Sequence, residues 1–134
     1  MRTPLEVSES YWAAECRRDI DAVMEHFHPD GTYEGPDGLR RGAAEIREAY
    51  EESARAYPGL EVAIVQEFRR GEESAIEFDA TLIDHAGVRH RVRGVNVVAV
   101  RDGRFVSVRS DEDAPAPESS PKRPRARARG ARQR

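Results

Sequence analysis

"EHFHPDGTYEGPDGLRRG", residues 25–42, decides how this chain is read. It holds two histidines, four carboxylates and four glycines in eighteen positions. Three readings compete: a metal site, a catalytic loop, or a helix handing over to a strand. The residues before it favour the last. Trp12, Cys16, Ile20, Val23 and Phe27 recur at steps of 4, 4, 3 and 4, the spacing of one helix face. Asp19 follows two arginines and can cap a second segment, so the spacing predicts two helices with a kink. Pro29 then bars continuation, Asp30-Gly31 reads as a turn, and "TYEG" reads as a short strand. His26 and His28 are two apart and point to different sides of a helix, which argues against a shared metal.

Outward from this stretch the pattern changes twice. Ile46, Tyr50, Ala54 and Tyr57 mark a helix from Ala43 to Tyr57, stopped by Pro58-Gly59. After Gly59 the period becomes two. "LEVAIVQEF", "SAIEFDATLI", "VRHRVRGVNVVAV" and "RFVSVRS" read as strands joined by hairpin-sized, glycine-containing connectors. Helices, a short strand, a helix and a four-strand antiparallel meander predict an α+β domain with helices covering one sheet face.

Alternation assigns the faces. Val88, His90, Val92, Gly94, Asn96, Val98 and Val100 share one face, and Arg89, Arg91 and Arg93 the other. In the preceding strand Ile76, Phe78, Ala80 and Leu82 align. His90 and Asn96 therefore stand on a mainly apolar face directed at the helices, where a polar group needs a partner. Asn96 either satisfies itself structurally or points into a pocket; His90, nearer the strand start, can reach solvent.

Composition bounds the rest. The chain has 134 residues, enough for one domain with a real core. No apolar run approaches the roughly 20 residues of a membrane span. "MRTPLEVSESYW" carries no signal-type apolar segment, so a cytoplasmic location is the expectation. Cys16 is the single cysteine and reads as a small buried hydrophobe. The net charge of −3 conceals a split. Residues 114–134 carry seven basic and one acidic residue, +6; residues 1–113 carry fifteen basic and twenty-four acidic, −9. The tail has no large apolar residue and is expected to be disordered, with the domain at 1–113. Its arginines suit weak, non-specific contact with nucleic acid or other anions, though no aromatic residue is present to stack on bases.

The order of these features resembles the SnoaL-like and ketosteroid-isomerase-like members of the nuclear transport factor 2 superfamily. The resemblance covers about residues 8 to 113. It rests on "DIDAV…F…DGTYEGP", on Gly42, Ile46 and Tyr50, and on "RDGRF" in the last hairpin. It implies a cone-shaped α+β barrel of the cystatin-like or SnoaL-like type, with a curved antiparallel sheet wrapped round N-terminal helices and an internal pocket. It also implies a homodimer, a small-molecule ligand or substrate, and no cofactor or metal. In that frame "EHFHPDGTYEGPDGLRRG" is the end of the second helix, the first strand, and the loop leading to the next helix.

Carried over residue by residue, the resemblance places a hydrogen-bonding tyrosine at Tyr11, a second at Tyr50, and the oxyanion-hole acid at Asn96, whose amide can also donate. The general base of ketosteroid isomerases, an aspartate in an "E-D-P" triplet, falls on Gly35 of "EGP". Glu34 should face away from the pocket. Replacement bases are Asp37, His90 and Glu112, the last within "SDED", which reads equally as a solvated end. The implied pocket wall comprises Trp12, Phe27, Tyr33, Phe78, Val92 and Val108. The expected function is acid–base chemistry on a small, mostly apolar carbonyl compound: isomerisation, polyketide-cyclase-type cyclisation or a related hydrolytic step. The alternative is a non-catalytic ligand-binding or protein-association module of the same fold.

Overall fold

A computed structural model describes residues 1–113 and the backbone of 116–117. Helix α1, Pro4–Cys16, starts a full two turns before Trp12. Thr3 caps it: its Oγ1 accepts from the Glu6 amide at 3.1 Å while Glu6 Oε1 accepts from the Thr3 amide at 2.8 Å, and Pro4 opens the first turn. Arg18 then adopts φ 55°, which breaks the helix. Asp19 caps the short α2, Ile20–Met24, by accepting from Ala22 N at 3.1 Å. The kink expected at Asp19 is therefore present, while Phe27 belongs to the following strand.

Strand β1 spans Phe27–Gly35. The expected Asp30-Gly31 turn is instead a bulge within it. Phe27 pairs with Phe105 and Thr32 with Ser107, so residues 28–31 stand opposite Val106 alone. Residues 36–37 form a tight turn to β2, Gly38–Arg41, an extra strand where the sequence reads as loop. Helix α3 is Gly42–Ala56. The meander follows: β3 Gly59–Arg70, β4 Glu73–Ile83, β5 Arg89–Arg101 and β6 Arg104–Glu112.

The strands form one curved sheet in the order β2-β1-β6-β5-β4-β3, antiparallel except for the parallel β1–β6 pair, and the sheet does not close. The expected cone, a curved antiparallel sheet wrapped round N-terminal helices, is thus present, with its sheet open. A two-residue β7, Ala116–Pro117, pairs with β5 at His90 and Arg91. The rest of the tail expected to be disordered lies outside the described residues.

The core sits between the helices and the inner sheet face. Val7, Val23, Ile46, Ile76, Val98, Phe105 and Val108 are fully buried, with Tyr11, Phe27, Tyr50 and Phe105 packed ring to ring at 5.3–6.2 Å. Outward-facing Arg93 pairs with Asp79 at 3.6 Å and Glu77 at 3.9 Å, and Arg89 with Glu61 at 2.7 Å. The outer face of β5 is therefore a ladder of cross-strand ion pairs, each worth little when exposed.

Candidate functional site

Between α1, α3 and the inner face of the sheet lies a cavity of about 480 Å³, the size of a small-ligand pocket. Trp12, Phe78 and Val92 supply apolar wall, and Tyr33 closes the β1 side. All four are among the wall residues that the resemblance implies. Phe27 and Val108 do not reach the cavity; both are buried in the core behind its floor.

Tyr11, on α1, borders the cavity and hydrogen-bonds through its hydroxyl to the hydroxyl of Tyr50 on α3. Tyr50 stands behind Tyr11, outside the lining. Burial raises both phenols well above their ordinary range, and nearby Glu15 adds to it, so both remain protonated hydrogen-bonding groups. Asn96, on β5, is 4% exposed and lines the same cavity. Its Oδ1 has no hydrogen-bond partner. A buried amide oxygen left unpaired costs free energy unless something else supplies a donor.

Glu15 was not among the residues expected at the site. It follows Tyr11 by one helical turn and Trp12 by three residues, so all three share the face of α1 that borders the cavity. Its side chain is 13% exposed, and burial raises its pKa to about 7 despite the lowering effects of Arg18 and Tyr11. Arg18 Nη1 lies 3.8 Å from Glu15 Oε2. The rest of that guanidinium is fixed: Nε and Nη2 donate to the Tyr57 carbonyl at 3.1 and 2.7 Å. The signal for Glu15 was present as a carboxylate at i+4 from Tyr11, but its burial arises only when the sheet closes over α1.

The cavity mouth carries Asp37 from the β1–β2 turn and Glu112 from β6, both exposed. Burial of its inner atoms raises the Glu112 carboxyl, opposed by Ser110 Oγ, which donates to Oε2 at 3.1 Å. Arg40 also borders the cavity, tied to Glu48 and Glu52 at 3.2 and 3.1 Å. Gly35 faces in and Glu34 is exposed, as alternation requires. The space beside Gly35 is filled, however: a Cβ there would lie 2.8 Å from Tyr33 Oη. Gly94 serves a similar close approach, since a Cβ would meet Phe78 Cζ at 2.7 Å and Glu112 Cβ at 3.0 Å.

His90, expected as a base candidate, stands outside the lining. Its Nε2 bonds Asp84 Oδ2 at 2.9 Å and its ring packs edge-on to Tyr57, so local partners hold it at the end of β5. His26 and His28 diverge. His26 bonds Ser10 Oγ and the Ala22 carbonyl at 2.7 and 2.8 Å, while His28 bonds the Arg101 carbonyl at 2.7 Å. Among the described residues no three His, Cys, Asp or Glu side chains gather as a metal site. Cys16 is half-buried and its thiol is pushed up by burial, which keeps it in the unreactive form. Among the described residues no helix is long and apolar enough to cross a membrane.

An open α+β cone with an internal, largely apolar cavity and hydrogen-bonding groups at its floor defines a pocket protein of the nuclear transport factor 2-like fold. The chain belongs to the SnoaL-like domain family, whose model matches residues 8–108. It has no match among curated proteins. Solved structures share the fold. An NTF2-like protein of unknown function from Burkholderia pseudomallei superposes with a TM-score of 0.74 at 19% identity, covering 84% of this chain and 92% of that one. A ketosteroid isomerase-like protein from Catenulispora acidiphila in complex with trimethylamine gives 0.72 at 21%, covering 82% and 86%. TerC co-crystallised with polyporic acid gives 0.72 at 20%, covering 81% and 90%.

Proposed function

We propose that the cavity binds a small, mostly apolar carbonyl compound and carries out acid–base chemistry on it, as an isomerase, a cyclase or a related hydrolase. The observation that carries this reading is that Tyr11 and Asn96, whose buried Oδ1 has no hydrogen-bond partner, border the same cavity. An amide suits both forms of such a substrate: its NH2 donates to a ketone oxygen, and its Oδ1 accepts from an enol. Carboxylates at the floor and mouth are within the same cavity and can move protons. That TerC holds polyporic acid and the Catenulispora protein holds trimethylamine supports small-molecule binding by this fold. We further read the protein as a homodimer, testable by sedimentation.

The test is titration with a phenol or an enone. Asn96→Leu and Tyr11→Phe should each weaken binding by about 1–3 kcal/mol, because each leaves a ligand polar group buried and unpaired. Unchanged affinity in both folded variants removes this pair from the site. A second reading, binding without catalysis, is favoured by Gly35, which offers no side chain at the base position of ketosteroid isomerases. Strong ligand binding with no turnover of any carbonyl substrate would favour it.

A further inference from the structure

We infer that Glu15 is the proton-transfer group of this cavity and that Arg18 positions it, so that the base has moved from strand β1 to helix α1. The inference rests on the reading of the cavity as an acid–base site and names which group does the work. Four carboxylates border the cavity, and three are poorly placed. Glu52 is tied to Arg40 at 3.1 Å. Asp37 and Glu112 belong to exposed residues at the mouth, and Glu112 Oε2 already accepts from Ser110 Oγ at 3.1 Å. Glu15 alone is deep, on the face of α1 that also presents Tyr11 and Trp12.

Arg18 supports this from behind. Two of its nitrogens are spent on the Tyr57 carbonyl, and buried Nη1 makes no hydrogen bond. It is left facing Glu15 Oε2 at 3.8 Å, outside hydrogen-bond reach but within ion-pair range. Arg18 also occupies a left-handed backbone position after a helix, φ 55°, where glycine is the usual residue. An arginine there carries a backbone cost that glycine would not, and its two bonds to the Tyr57 carbonyl hold it in place.

Arg18 and the Tyr11 hydroxyl favour the Glu15 anion, Glu112 of β6 disfavours it, and burial dominates. Tyr33 of β1, Tyr50 of α3 and the neighbouring Cys16 thiol feel the same charge and stay protonated. The outcome, a carboxyl near 7, populates both acid and base at neutral pH, as a group that takes a proton from carbon and returns it must. On a carbonyl substrate the Glu15 carboxylate takes the proton on the carbon beside the carbonyl. The C–H electron pair moves into a conjugated enolate, whose oxygen is held by Tyr11 and Asn96, and Glu15–H returns the proton to another carbon of that enolate.

The probe is 5-nitrobenzisoxazole. A carboxylate removes its ring C–H proton, the N–O bond breaks, and the electron pair ends on oxygen as a coloured cyanonitrophenolate. Trp12, the only tryptophan, lines the cavity and reports binding by fluorescence. Wild type should open the probe faster than acetate at equal pH, with a rate that rises to a plateau above about pH 7. Glu15→Gln should lose at least about 10²-fold with probe affinity unchanged. Arg18→Met should move the midpoint to higher pH, an effect that lost packing alone does not produce. Retained rate in Glu15→Gln, or a bound probe opened no faster than by acetate, overturns the inference. A probe that does not touch Trp12 fluorescence counts against the pocket reading instead. Glu15 is then judged without ligand: a Trp12 fluorescence transition near pH 7 that vanishes in Glu15→Gln supports it, and its absence in wild type overturns it.

Discussion

Two walls of one cavity, helix α1 and strand β1, offer a contrast. Strand β1 places Gly35 inward and fills the space beside it with the Tyr33 ring; helix α1 places Glu15 inward and backs it with Arg18. The strand has the position that ketosteroid isomerases use for a base but no group to fill it. The helix has a group that the family resemblance does not assign. Chemistry follows the environment of a carboxyl rather than its place in a family pattern: burial pushes the Glu15 carboxyl up to about 7, against the lowering effects of Arg18 and Tyr11.

The largest expected effect comes from moving the carboxylate back across the cavity. In a Glu15→Gln background, Gly35→Asp alone should recover little activity on 5-nitrobenzisoxazole, since its Cβ would lie 2.8 Å from Tyr33 Oη. Adding Tyr33→Val opens the space, and the triple variant should gain about 10²-fold, the low end for general-base catalysis. Equal recovery with Tyr33 retained would show that its ring yields freely, and that the two walls differ only in which residue they carry. No recovery in either, with probe still bound, would mean that β1 no longer faces the reactive position.

The same contrast explains what was legible in the sequence. The meander was, because Ile76, Phe78 and Ala80 or Val92, Asn96, Val98 and Val100 alternate cleanly, and a slip of one residue would expose them all. Tyr11 and Asn96 were legible through resemblance, and the cavity holds both. Strand β2 was hidden because "GLRR" has no alternation and Leu39 is exposed; only pairing with β1 across a tight turn makes it a strand. His90 sat on the correct face, yet Asp84, supplied by the β4–β5 connection, holds it away from the cavity. Glu15 and Arg18 are three residues apart, a spacing that is common on solvated helix faces and marks no site. Their burial comes from the sheet and from Tyr57, thirty-nine residues beyond Arg18, and no local pattern announces it.

A smaller effect, on stability, separates Glu15 from a solvated acid. Its folded pKa of about 7 exceeds the ordinary 4.5. Below pH 4.5 both folded and unfolded states keep the proton and the group costs nothing. Between 4.5 and 7 the unfolded chain releases its proton first, so folding stability falls as pH rises; above 7 the loss is complete, about 3 kcal/mol. Glu15→Gln removes that slope, although Arg18 then lacks its ion-pair partner and part of the gain is lost. Urea unfolding at pH 4.5, 6 and 8 should show the variant gaining on wild type across this window, then no further. A difference independent of pH would mean that Glu15 is solvated in the folded protein, and the contrast with an exposed acid would collapse.

The smallest expected effect tests whether mouth and floor communicate. Glu112 disfavours the Glu15 anion, and it is the weakest of the influences on that group; Arg18 acts oppositely and more strongly. Glu112→Gln should therefore lower the midpoint of the Trp12-monitored titration, and Arg18→Met should raise it by more. The signs matter more than the sizes. General loosening of the fold would let water reach Glu15 and lower the midpoint in both variants, whereas through-space charge moves them in opposite directions. Added salt gives a second check: screening should shrink the Glu112 shift first, because that carboxylate stands at the exposed mouth, and leave the buried Arg18 shift largely intact. Shifts of the same sign, or a Glu112 shift that salt does not touch, would replace electrostatic coupling along the cavity with a structural explanation.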